Sequence, residues 1–153
     1  MKVDAILALF PDAKREQDDV DYATKTYVLS APGKGVGRVT FFFFKDVLFK
    51  VAINFDLTRA QQKYQIYLYE KKYGPCQEKD LNFQGTDSTT KLVWHNRKHA
   101  IQIGQLITTP PKKDAVQEHY LAAIYIDIAL ATAYEEHAKK VGAQKHELGW
   151  DDF

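Results

Sequence analysis

The sequence predicts an α+β fold: an antiparallel sheet of five or six strands, one helix inserted after the third strand, a short N-terminal helix and a longer C-terminal one. Three stretches carry that expectation. "GRVTFFFFKDVLFKVAINF" (37–55) reads as two strands joined at Lys45-Asp46. "TRAQQKYQIYLYEKKYGP" (58–75) has helix signals at both ends. "EHYLAAIYIDIALATAYEEHAKKVG" (118–142) opens as a strand and continues as a helix after Asp127.

Taken in order, residues 2–10 form a short helix stopped by Pro11. Residues 12–22, "DAKREQDDVDY", are polar and read as a loop. "ATKTYVLS" (23–30) is β-branched and aromatic enough for a strand. "APGKGVG" (31–37) is turn chemistry. The hairpin follows, with Lys45-Asp46 as a two-residue connection, because Asp tolerates positive φ. That register sets Phe44 against Val47, Phe42 against Phe49 and Thr40 against Val51 on one face. The other face pairs Phe43 with Leu48 and Phe41 with Lys50. Each side of the sheet receives two phenylalanines, and a one-residue slip exchanges the faces.

Thr58 and Gln61 form a capping box, and Gly74-Pro75 stop the helix, which spans 59–73. Its apolar stripe is Ala60, Tyr64, Tyr67 and Leu68, widened by Ile66, Tyr69 and Tyr73. Residues 76–88 are a connection; strands at 89–95 and 99–108 meet near Asn96-Arg97-Lys98, and Pro110-Pro111-Lys112-Lys113 is a break. A strand at 118–126 and a helix at 128–141 follow, with Asp127 as N-cap and Gly142 as the stop. A single helix over 115–141 also fits these residues; the divided reading is preferred. Residues 143–153 are a flexible tail carrying Trp150 and Phe153, and no internal repeat is visible.

A chain of 153 residues makes one domain, 1–153, with a real core. Its 21 basic and 20 acidic residues leave a net charge of +1, against a dedicated nucleic-acid binder. One cysteine, Cys76, allows no internal disulfide. The longest strongly apolar run, Val39 to Phe44, falls far short of the about 20 residues a membrane helix needs. "MKVDAILALFPDAKREQ" is not a secretory signal, which suits the cytoplasm as the sequence stands, or the cell envelope if a leader has been removed.

Few residues suggest catalysis. "GKGVGR" (33–38) leads into a strand rather than a helix and lacks the end of a phosphate loop. His95 and His99 are spaced for metal ligation across a turn, but no third ligand has matching spacing. Cys76 follows a helix C-terminus, which disfavours a thiolate. No catalytic residue and no cofactor is expected.

The order of a strand, "FKDVLFKV", a helix, "YGP" and a strand with a tryptophan resembles small bacterial proteins of unknown function, some from the cell envelope. The resemblance covers residues 36–108, implies a bacterial origin and carries no catalytic residue.

The expected function is a non-catalytic binding or assembly domain. Its surface would be an aromatic sheet face, Phe41 and Phe43, or the tyrosine-rich helix, Tyr64, Tyr67, Tyr69 and Tyr73, meeting a protein partner or a second copy. Two alternatives are a carrier of a small hydrophobic ligand, with Tyr and Phe lining a pocket between sheet and helix, and a metal-dependent hydrolase using His95 and His99.

Overall fold

Strand pairing organises the molecule. The computed structural model describes residues 1–85, 87–108 and 118–147, and among these eight strands form one antiparallel sheet. The elements are α1 (Val3–Leu9), β1 (Lys14–Asp19), β2 (Thr24–Gly33), β3 (Val36–Phe44), β4 (Val47–Phe55), α2 (Arg59–Tyr73), β5 (Glu78–Gln84), β6 (Asp87–His95), β7 (His99–Thr108), β8 (Glu118–Asp127) and α3 (Ile128–Glu147). The strand order is β1-β2-β3-β4-β8-β7-β6-β5.

This order corrects the expected five or six strands, and the inserted helix follows the fourth strand, not the third. Both unexpected strands are edges. Residues 12–22 contain β1 and residues 76–88 contain β5, each paired on one side only. Edge strands need no apolar face, and charges on them discourage pairing with other chains. β1 reads "KREQDD", and every residue of β5 is exposed. The expected break at 110–113, with the chain-end aromatics Trp150 and Phe153, lies outside the described residues.

The order is palindromic. A helix followed by a four-strand meander occurs twice, α1 with β1–β4 and α2 with β5–β8, and the last strand of each meander pairs with the other, β4 with β8. The two halves thus share one order of elements on either side of the β4–β8 pair, although the sequence shows no repeat.

Both α1 and α2 cover the first sheet face. Under α1, Ile6 packs on Phe41 and Phe43, which are buried. Under α2, Tyr69 packs with Leu92, Trp94, Ile103, Leu121 and Ala123. Burying each large side chain in these clusters contributes about 1.5–3 kcal/mol. The second face carries α3, whose Tyr134 stacks on Phe49 at 5.1 Å and meets Phe44 edge-on at 5.8 Å. Asp127 caps α3 as expected, accepting from the Leu130 N–H at 3.1 Å. Gly142 does not end this helix, which runs on to Glu147.

The β3–β4 hairpin turns at Lys45 (φ 48°) and Asp46 (φ 63°), the two positive-φ residues a tight hairpin requires. Its register departs from the expected one after two pairs. Phe44 faces Val47 and Phe43 faces Leu48, but Phe42 faces Lys50 and Phe41 faces Val51. Phe49 is left without a partner in a β-bulge. The extra residue turns Lys50 onto the second face, beside Phe42 and Phe49.

Helix α2 starts and stops where its caps predict. Thr58 and Gln61 make the reciprocal capping bonds at 2.9 and 3.3 Å, and Gly74 closes the end at φ 79°. Its orientation differs from the expected stripe. Gln62, Ile66 and Tyr69 face the sheet, while Ala60, Tyr64, Tyr67 and Leu68 face outward. The buried polar Gln62 is satisfied, its Oε1 accepting from Gln105 Nε2 at 2.9 Å. That bond removes the penalty that would otherwise keep Gln62 outside.

Candidate functional site

The C-terminal end of α2 hangs over the tips of β6, β7 and β8 and leaves a groove of about 440 Å³. Tyr73, Trp94, Ile101 and Tyr125 wall it, and His95 and His99 stand at its rim. A smaller depression shares Tyr73 and Tyr125 and runs onward past Tyr69, Lys72 and Leu68 along the helix. The rings are mutually supporting: Tyr69–Tyr73 centroids are 6.0 Å apart, Tyr73–Trp94 6.3 Å and Tyr69–Trp94 6.5 Å.

Local hydrogen bonds fix this end of the molecule. Trp94 Nε1 donates to the Gly74 carbonyl at 2.7 Å, tying the helix cap to the sheet. The Gln77 side chain mimics a strand, its Nε2 donating to His95 O at 3.0 Å and its Oε1 accepting from His95 N at 3.2 Å. Asn96 Oδ1 accepts from the N–H groups of Lys98 and His99, at 2.7 and 2.8 Å, shaping the β6–β7 turn. Cys76 lies partly buried against the core cluster.

The hydroxyls of Tyr69 and Tyr125 meet at 2.5 Å. Burial pushes the Tyr125 phenol well above the ordinary tyrosine range, and its bond to Tyr69 adds to that. Burial also pushes Tyr69 up. Both stay neutral far above physiological pH, so they suit donating and accepting hydrogen bonds, not trading protons during a reaction.

The six residues expected to form a binding surface separate in the structure. Phe41 and Phe43 are core residues under α1 and offer no surface. Tyr69 is buried and borders the smaller depression beside the groove. Tyr73 stands at the groove wall, 36% exposed. Tyr64 and Tyr67 project outward, 61% and 52% exposed, and stack with centroids 6.2 Å apart. His95 and His99 both line the groove, and among the described residues no group of three His, Cys, Asp or Glu could hold a metal ion.

Trp94 and Tyr125 belong to the groove but were not among the expected site residues. Trp94 follows β-branched and apolar residues that mark its strand as buried. Tyr125 alternates with Ile124 and Ile126. Neither shows in sequence that it closes on the end of a distant helix. Among the described residues, no helix is long and apolar enough to cross a membrane.

No family model, no curated protein and no solved structure matches this chain, so the resemblance over residues 36–108 brings no family with it.

Proposed function

We propose that this chain is a non-catalytic protein-binding domain that engages its partner through the outer face of α2 and the aromatic groove at its C-terminal end. The stacked, outward-facing pair Tyr64–Tyr67 carries the reading. Leu68, 37% exposed, stands one turn after Tyr64 and links the pair to the groove through Lys72 and Tyr73. Tyr and Trp supply large contact area with few rotatable bonds, which is why they dominate binding hot spots. The helix carries four basic residues against one acidic, Glu70, so the fitting partner presents acidic residues around an apolar anchor.

The test is selection from a displayed random-peptide library against the full chain, followed by an NMR footprint of the enriched peptides. Acidic peptides with an aromatic or aliphatic anchor, shifting Tyr64, Tyr67, Tyr73 and Trp94, are expected. Enriched peptides whose shifts fall on another surface would refute the assignment. Sedimentation at high concentration separates a second copy from a foreign partner, since self-association through this surface must vanish in Tyr67→Ala.

A further inference from the structure

We infer that a second, separate site, the pocket between α3 and the β1–β4 half of the second sheet face, binds a small aromatic carboxylate. The cavity is about 320 Å³, at the lower end of ligand-sized pockets and suited to a single ring. Phe42 and Phe49 make its floor, with centroids 6.5 Å apart, and Tyr134 of α3 makes a wall stacked on Phe49. A flat apolar ligand can lie against these rings.

The charge in the pocket comes from the bulge. In a regular hairpin Lys50 would point to the first face, opposite Phe41. The extra residue at Phe49 brings it to the second face, where Nζ sits 4.2 Å from the centre of the Phe42 ring. Bulges that re-aim a side chain recur beside functional sites. Of the two lysines lining the pocket, Lys25 is paired with Asp46 at 2.7 Å, whereas Lys50 has no carboxylate within ion-pair distance among the described residues. A cation resting on an aromatic floor without a counter-ion is complementary to a ring bearing one carboxylate.

Asp19 sets the limit on ligand charge. It lies on the same rim, its Oδ1 accepting from the Tyr22 N–H at 3.3 Å. A carboxylate there repels a doubly charged phosphate more than a singly charged acid. The site therefore selects for one negative charge attached to one ring.

An NMR titration of the full chain with phenylacetate, its neutral analogue phenylethanol and inorganic phosphate tests this. Phenylacetate should give saturable shifts at Phe42, Phe49, Lys50 and Tyr134. Phenylethanol binding to wild type and phenylacetate binding to Lys50→Met should each be weaker by about tenfold or more, the effect of losing one charge-assisted hydrogen bond. Lys50→Arg should restore most of the affinity, which guards against a folding defect in Lys50→Met. Absence of saturable shifts, equal binding of phenylethanol, equal shifts with phosphate alone, or unchanged phenylacetate affinity in a folded Lys50→Met protein would each overturn the assignment.

Discussion

Tyr69 and Tyr125 place an alkaline limit on the stability of this fold. In the unfolded chain both phenols ionise near the ordinary value of about 10. In the folded chain burial holds both above it. The stability this difference brings is fully present below about pH 10 and is lost as pH rises further, because the unfolded state releases protons the folded state keeps. At about pH 11 a phenol that the fold keeps neutral removes up to about 1.4 kcal/mol, the loss expected from Tyr125, and Tyr69 adds to it in the same direction. For a domain of marginal stability that is a large fraction of the total. Urea unfolding at about pH 9 and about pH 11 measures the loss, and tyrosinate absorbance counts the phenols that remain neutral in the native protein. In the double variant Tyr69→Phe/Tyr125→Phe the extra alkaline loss should disappear. An alkaline slope as steep in that variant as in the wild type would refute the reasoning.

Three further perturbations probe the framework. Phe43→Ala, in the fully buried centre of the cluster under α1, should cost about 3–5 kcal/mol in urea unfolding. Gly35→Ala should cost about 1–2 kcal/mol, because Gly35 holds φ 77° and an added Cβ would also make the end of the Leu57 side chain turn aside. Lys45→Asn should raise stability by about 0.5 kcal/mol, since Asn accepts the positive φ of this hairpin position better than Lys. A thermal melt reads each of the last two directly, as a fall and a small rise in Tm.

Local signals that depend on neighbouring residues alone were legible in the sequence. The capping box and glycine stop place α2 at Arg59–Tyr73, and the two-residue turn at Lys45-Asp46 stands as expected. What the sequence could not show depends on partners distant in the chain. β1 has no apolar alternation and β5 alternates only at Leu81 and Phe83, both exposed, because each lies at an edge of the sheet, and an edge strand is recognised by what it pairs with. With both read as loops, the helix-plus-four-strands repetition was invisible too.

The orientation of α2 shows the same limit. Gln62, Ile66, Tyr69 and Tyr73 share one helical stripe, while Ala60, Tyr64 and Tyr67 share another, and both carry aromatic rings. Periodicity cannot choose between two such stripes. In the structure the buried stripe is the one whose Tyr69 and Ile66 join the core cluster and whose Gln62 is satisfied by Gln105 on β7. The bulge at Phe49 is likewise unmarked, since one strand's sequence does not reveal where its neighbour skips a residue.

The most direct test of the proposed function is the affinity of one library-selected peptide for the wild type and for Tyr64→Ala/Tyr67→Ala, by isothermal titration calorimetry. Both rings are exposed, so their removal should leave the fold intact. Loss of about 2 kcal/mol or more of binding free energy, with an unchanged melting temperature, is the predicted result. Equal affinity in the folded double variant would show that the outer face of α2 is not the binding surface.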